Sequence, residues 1–320
     1  MALEPHDIGP IFGHDEAQRE FLSALASGRM HHGWLMRGPR GVGKSRLAIR
    51  FAMRLLGDMS DFSASPDPAI TNLLLAGSHP DLRVIRRPFD DKGKQKSEIP
   101  VDSVRDLTQF FALRPALGGW RVAIIDAVDE MNRFGANAVL KTLEEPPQRA
   151  VLILISHGEQ ALLPTIRSRC RVLRCGPLNE REATSVLALA GHAGPKANTI
   201  AAMAPGRPGR ALELSQGDAG DGSALETLLR GDGGVDASAL QAALTVGSKS
   251  EGALAVSMER LRALLQRRAM REGDPARAGD WADAALAVAR ISAEADALNQ
   301  DRAQTIAAAL QAVTTRVGGG

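Results

Sequence analysis

The sequence predicts an α/β fold on a mostly parallel sheet, followed by a small helical unit and an all-helical C-terminal part. Three observations carry this. The run Gly38-Pro39-Arg40-Gly41-Val42-Gly43-Lys44-Ser45 satisfies G-x-x-x-x-G-K-[ST] at every fixed position, between an apolar run and a helical pattern. From about Ile11 to Arg174, helical segments alternate with short apolar runs, as in units built on a parallel sheet. Past Pro177 the strand pattern stops and only helical periodicity remains.

In chain order, Trp34 to Met36 reads as the first buried strand, and Arg46 to Leu56 as a helix whose N-terminal dipole faces an anion held by the loop. Gly57 to Ile70, rich in Asp, Ser and Pro, reads as a surface loop, as does Arg86 to Pro100, where charges crowd around Gly93. Leu82 to Ile85, Arg121 to Asp126 and Val151 to Ser156 are the other strand candidates, each apolar and bounded by turn or polar residues. Between them, Val101 to Phe111 and Asn132 to Leu143 place apolar residues at three- and four-residue spacings and predict helices. Beyond Pro177, Asn179 to Leu189, Ala197 to Met203 and Gly209 to Leu214 predict a small helical lid. The Gly-rich stretch Gly217 to Gly234 then separates it from an Ala- and Leu-rich helical remainder ending in a frayed Gly318-Gly319-Gly320. The implied domains are 1–176, 177–216 and 217–320.

With 320 residues, 44% of them hydrophobic, the chain has apolar mass for two or three domains. Aromatic residues make up only 3% and tyrosine is absent, which argues against a stacking platform for single-stranded nucleic acid. The formal charge of +2 gives no global basic field, so any nucleic-acid contact depends on locally placed arginines. Arg260, Arg262, Arg267, Arg268 and Arg271 form a basic helical stretch read as a solvated face. Cys170 and Cys175 supply neither a disulfide framework nor a four-ligand zinc site, and they sit in one strand-like stretch as reduced thiols. His31 and His32 read as capping or surface imidazoles. The N-terminus lacks a signal-peptide pattern and no run of about 18 apolar residues suggests a membrane span, so a soluble cytoplasmic protein is expected.

The loop carries the chemistry. Backbone N–H groups around Gly38, Gly41, Val42 and Gly43 curl about phosphate oxygens, Lys44 brings a point charge to the outer phosphates, and the Ser45 hydroxyl is placed to coordinate magnesium. ATP or ADP with magnesium is the implied ligand. Asp126 ends a buried strand, where P-loop proteins place the acid that holds magnesium through water. The residue after it is Ala127, whose methyl can neither accept a proton nor orient water, so hydrolysis is expected to be slow or absent. Asp129, two residues further, returns to the same face of an extended chain. It is either a replacement acid or a helix-start carboxylate bound by nearby N–H groups.

The string Asn137-Ala138-Val139-Leu140-Lys141-Thr142-Leu143-Glu144-Glu145-Pro146-Pro147, followed at a loop's distance by Ser168-Arg169-Cys170, resembles the AAA+ subunits of bacterial and eukaryotic clamp loaders. Ser78-His79-Pro80-Asp81-Leu82 and Val101-Asp102-Ser103-Val104-Arg105 are similar in place and type to the delta prime family of the bacterial DNA polymerase III holoenzyme. The resemblance covers about residues 11 to 215; the helical remainder agrees in size and class, and would be a collar for oligomerisation. It implies that Arg169 is a finger acting in trans on the ATP of a neighbouring subunit, where a planar guanidinium stabilises charge in phosphoryl transfer. It implies further that Ser156 occupies the first sensor position, the alternative being a strand-end turn residue. The implied partners are the gamma/tau and delta subunits and, through the complex, the sliding clamp and primed DNA.

The sequence also departs from the pattern. Relatives often carry a four-cysteine zinc module after the phosphate loop, but Gly57 to His79 contains no cysteine, and no zinc is expected. Arg207 and Arg210 are both open as the second sensor. A stator that keeps a phosphate cradle while lending its arginine to a neighbour is the leading reading. An ATP-hydrolysing motor subunit (gamma/tau-like) or another DNA-remodelling AAA+ ATPase is the rival, and a small-molecule P-loop kinase is disfavoured because it has no use for Ser168-Arg169-Cys170.

Overall fold

The computed structural model describes residues 3, 7–90, 95–96, 98–117, 119–158, 164–216, 225, 235–247, 253–298 and 300–317. Contacts divide the chain into two units, Met1–Gly191 with Gly206–Gly209, and His192–Pro205 with Arg210–Gly320.

The first unit contains α1 (Asp15–Ala26), β1 (Gly33–Arg37), α2 (Lys44–Leu55), α3 (Pro68–Leu75), β2 (Leu82–Arg86), α4 (Val101–Ala112), β3 (Arg121–Asp126), a 3-10 turn (Val128–Glu130), α5 (Arg133–Glu144), β4 (Ala150–Ser156), α6 (Pro164–Arg167), β5 (Arg171–Arg174) and α7 (Glu180–Leu189). The strands form one five-stranded sheet, order β2-β3-β4-β1-β5, with every pairing parallel. Alternate residues of each strand serve opposite faces. Trp34, Met36, Val122, Ile124, Val151, Ile153 and Ile155 pack with α1 and α2, whereas Leu35, Ala123, Ile125, Leu152 and Leu154 pack with α4 and α5. A sheet covered on both faces needs apolar residues on both, which is why the strands read as continuous apolar runs and not as alternating ones. Phe21 stacks on Phe51 at 4.0 Å between centroids and tilts against Trp34 at 5.1 Å, which locks α1 and α2 to β1 beside the phosphate loop.

The four apolar runs form β1 to β4, and β5 falls inside the strand-like Cys170 to Cys175 stretch; only its Leu173 is buried and its arginines lie toward solvent, so apolarity alone understates it. The predicted loop from Gly57 to Ile70 is more ordered than its composition suggests. Arg50, fully buried, pairs with Asp58 at 3.7 Å and donates to Asp61 O at 2.7 Å, and α3 already begins at Pro68, with Asp67 capping the Ala69 N–H at 2.7 Å. Within Arg86 to Pro100, Phe89 bridges Gln95 and Ile99 bridges Met131, so this stretch is pinned at both ends. Asp81 accepts from the N–H groups of Ala116 and Leu117 at 2.8 and 2.9 Å and from Arg121 Nε at 3.1 Å, which ties the turn before β3 to the turn before β2. That buried ion pair is the structural content of the Ser78–Leu82 motif. His31 and His32 stack at 4.4 Å, and His32 Nε2 donates to Leu143 O at 3.1 Å.

The second unit holds α8 (Gly194–Ala201), most of α9 (Pro208–Gln216), α10 (Ala237–Gly247), α11 (Ala253–Arg271), α12 (Pro275–Leu298) and α13 (Arg302–Val317). Leu240, Leu244, Leu261, Leu265, Trp281, Val288, Ile306 and Val313 form its core. The basic stretch of α11 is only partly a solvated face. Arg260 is buried and donates to Leu214 O, and Arg268 lies over the Trp281 ring at 5.6 Å, because long guanidinium stems cover apolar surface while their heads find carbonyl or π partners. The Gly217 to Gly234 stretch, apart from Leu225, and Gly318 to Gly320 lie outside the described residues. No helix among the described residues is long and apolar enough to cross a membrane.

Candidate nucleotide site

The phosphate loop connects β1 to α2 at the carboxyl ends of the parallel strands, where open α/β sheets present their ligand crevice. Gly41 and Gly43 take φ of 86° and 101°, left-handed values that favour glycine and turn the loop's amides to one side. A Cβ on Gly38 would meet Cys175 O at 1.8 Å, since the chain leaving β5 lies directly against the loop, with the Cys175 N–H donating to Arg37 O at 2.7 Å. On another side the Gly209 N–H donates to Gly41 O at 2.9 Å, and His14 Nε2 donates to Val42 O at 2.8 Å. A Cβ on Gly43 would meet nothing within 4 Å, so the space beside α2's N-terminus is open.

Lys44 is buried and its Nζ donates to Gly38 O at 2.6 Å and Pro39 O at 2.7 Å, a folded position within the loop. Burial pushes its pKa down to about 8, against the attraction of Cys175, Asp126 and Asp129. Ser45 Oγ donates to Asp126 Oδ2 at 2.6 Å, so the two side chains expected to serve magnesium stand within hydrogen-bond distance of each other. The donor set fits a phosphate chain: loop amides, a buried ammonium and a hydroxyl, beside one carboxylate, Asp126, that also pairs with Arg86. Magnesium usually takes one or two carboxylates and leaves its remaining positions to phosphate and water. Among the described residues no group of three or more His, Cys, Asp or Glu side chains gathers as a metal site.

Ala127 is buried in the apolar cluster under α2, away from any position where it could meet water. Asp129 Oδ1 accepts from Ser156 Oγ at 2.9 Å and its Oδ2 accepts the His157 N–H, so this carboxylate is held to the end of β4. Ser156 is fully buried, and its hydroxyl is shared between Asp129 and Gly158 O at 2.8 Å.

Three residues at the site escaped sequence reasoning. His157 follows Ser156 and has its pKa lowered to about 4, first by burial and then by Lys44 and Arg40. Glu130 pairs with Arg87 at 2.7 Å and lies 3.9 Å from Arg40 of the loop; burial pushes its carboxyl up. Arg86 ends β2 beside Asp126, with Nε 3.3 Å from Asp126 Oδ2 and its two terminal nitrogens each 2.9 Å from the Asp7 carboxylate. No local pattern signals Arg86, because its partners lie at the far N-terminus and on another strand.

Arg169 follows α6 at the surface, 37% exposed at its side chain. It pairs with Glu144 of α5 at 3.0 Å and donates to Thr165 O at 3.1 Å. Its neighbour Cys170 and the other thiol, Cys175, have pKa values pushed up to about 12 and about 11 by burial, which makes both poor nucleophiles. Of the two second-sensor candidates, Arg210 is engaged by Glu213 and Glu259 at 2.6 and 2.5 Å.

Comparison with known proteins agrees with the resemblance carried by the motifs. Residues 13–179, just over half of the chain, match the family model described as DNA polymerase III, delta subunit. The chain is 40% identical to the DNA polymerase III subunit delta' of Pseudomonas aeruginosa over 160 residues, covering 49% of this chain and 47% of that one. It is 32% identical to the delta' subunit of Escherichia coli over 211 residues, covering 65% and 61%, and 33% identical to the Escherichia coli subunit tau over 168 residues, covering 52% and 25%. It therefore spans less than two thirds of the length of each of these relatives. The phosphate loop, the Asn137 to Pro147 motif and Ser168-Arg169-Cys170 all fall inside the matched stretch, and the chain belongs to the DNA polymerase III delta subunit family, as a clamp-loader delta prime relative.

Proposed function

We propose that this chain is a stator-like subunit of a bacterial clamp loader, holding ATP or ADP on its own phosphate loop without hydrolysing it well and lending Arg169 to the ATP site of a neighbour. The observation that carries the reading is the contrast between two positions. Ala127, the residue after the strand-end acid, carries no acid and is buried in an apolar cluster, while Arg169 is partly exposed just after α6 on a short tether to Thr165 and Glu144. A guanidinium held at a surface by one carbonyl and one half-exposed carboxylate can be handed to an outer phosphate across an interface at small cost.

In this reading the amides of Gly38, Gly41, Val42 and Gly43, with Lys44, hold the phosphates, and Ser156, in the first sensor position, reaches the outermost one only by releasing its hydroxyl from Asp129 and Gly158 O. Ser45 and Asp126 are the residues that would hold magnesium, which supplies charge neutralisation between phosphate oxygens. The gamma/tau and delta subunits are the partners, with the sliding clamp and primed DNA engaged through the assembled complex in the cytoplasm. Residues 177–216 serve as a lid and 217–320 as the oligomerisation collar. The test is co-purification with partner subunits followed by nucleotide analysis and ATP turnover of the chain alone; rapid turnover by the isolated chain rejects the stator reading.

The similarity to tau favours a second reading, an ATP-hydrolysing motor subunit. It requires an acid near the outer phosphate, and both Ala127 and the engagement of Asp129 by Ser156 and His157 weigh against it.

A further inference from the structure

The parallel register of β2 and β3 sets Arg86 directly beside Asp126. Arg86 Nε reaches Asp126 Oδ2 at 3.3 Å, the same oxygen that receives the Ser45 hydroxyl at 2.6 Å. The contact is an ion pair without an aligned hydrogen bond, because the guanidinium plane is set by its fork onto Asp7, with both terminal nitrogens at 2.9 Å. The three side chains are only 17%, 13% and 9% exposed for Arg86, Asp126 and Asp7, so the pairing is shielded from solvent. A buried, bidentate guanidinium keeps its charge across the working pH range and is costly to separate from its partners.

We infer that Arg86, held by Asp7, is a built-in cation at the divalent-metal position of the phosphate loop, so that the site takes a nucleoside di- or triphosphate with little need for magnesium. The inference rests on the nucleotide-binding reading above. Magnesium at a phosphate loop does two things: it neutralises the strand-end carboxylate and it bridges to phosphate. At Asp126 the first is already done by Arg86. A metal that reached Oδ2 would have to displace the guanidinium from a carboxylate it shares with Ser45, and among the described residues no group of three or more acidic, His or Cys side chains is gathered to receive it. Lys44 remains as the phosphate cation, and the loop amides need no metal to work.

The experiment is calorimetric titration of the full-length chain with ADP, once in millimolar magnesium and once in EDTA, for the wild type, Arg86→Gln and Asp7→Asn. The expected result is a wild-type affinity that changes by less than about threefold between the two buffers, and a magnesium dependence of about tenfold or more in Arg86→Gln. Asp7→Asn, which leaves the guanidinium in place but untethered, is expected to fall between them and covers the case in which Arg86→Gln does not fold. A wild-type dependence of tenfold or more, or variants that match the wild-type ratio, overturns the role of Arg86. No ADP binding in either buffer overturns the nucleotide reading itself, and the two failures are told apart because one lies in the ratio and the other in the absence of any heat.

Discussion

Asp129 accepts the Ser156 hydroxyl at 2.9 Å and, through its other oxygen, the backbone N–H of His157. The acid two residues past the end of β3, the candidate replacement for the missing glutamate, is thus spent on holding the 3-10 turn to the end of β4. Asp129→Ala is expected to lower stability by about 1 to 3 kcal/mol, the cost of leaving the His157 N–H without its acceptor, while the Ser156 hydroxyl keeps Gly158 O. ATP turnover by the chain is expected to stay at its wild-type level. Urea denaturation and a phosphate-release assay on the same preparation separate the two effects; a fall in turnover at full stability would return Asp129 to the mechanism.

Arg169→Ala is expected to leave the melting temperature of the chain within about a degree, since exposed ion pairs contribute only about 0 to 1 kcal/mol. In a loader reconstituted with motor and delta subunits, ATP turnover should fall by about tenfold or more, in keeping with the loss of a transition-state cation. Equal turnover with the variant subunit would remove Arg169 from the reaction.

Ala127→Glu tests whether the missing acid can be restored. Because Ala127 lies in the apolar cluster beneath α2, the new carboxylate has no wet position, and the substitution is expected to destabilise the chain by about 2 to 4 kcal/mol without creating an ATPase. Thermal melting with an ATPase assay reads both. A stable variant that hydrolyses ATP would show that the position faces the phosphates after all.

Asp81→Ala removes the acceptor of two backbone N–H groups and the partner of buried Arg121, whose neighbouring nitrogen also donates to Phe110 O. Leaving a buried charge uncompensated costs about 3 to 5 kcal/mol, so the variant should lose that much in denaturant titration. Asp81→Ala combined with Arg121→Met should recover part of it. No recovery in the double variant would assign the effect to the backbone amides alone.

The His157 imidazole has a folded-state pKa of about 4 against an ordinary value of 6.5, chiefly through burial. Between those values the unfolded chain binds a proton that the folded chain refuses, so the contribution is complete above pH 6.5 and drains away as pH falls toward 4. It amounts to about 3 kcal/mol at most. Burial lowers His14, His79 and His32 as well, with the same sign. His157→Gln should therefore flatten the stability profile between pH 6.5 and 4, measured by urea denaturation at several pH values; an unchanged slope would place the acid sensitivity elsewhere.

Much of this site could be read from the sequence because its parts are local. The phosphate loop, the strand ending in Asp126 and the helix before Glu144 each announce themselves within a dozen residues, by glycine spacing, apolar runs or helical period. Strand β5 showed only as a strand-like stretch between two cysteines because its outward arginines break the apolar run, and the first residues of α3, Pro68 to Ile70, were read as loop because they follow a polar stretch whose order comes from the buried Arg50 pairing with Asp58. The Asp7, Arg86 and Asp126 triad could not be read at all. Its members are far apart in the chain, each alone looks like a solvated charge, and only the β2–β3 register brings two of them together. The same holds for Asp129, whose role was decided by the neighbouring strand end and not by its position two residues past Asp126.

Trp281, sunk in the C-terminal helical core under the Arg268 guanidinium, has a practical consequence. The chain has three tryptophans and no tyrosine, and the other two indoles, Trp34 and Trp120, belong to the sheet-bearing unit. Replacing those two with phenylalanine would leave a single emitter in the second unit. Its wavelength shift on heating would then report the melting of that helical core separately from the sheet, with no label attached.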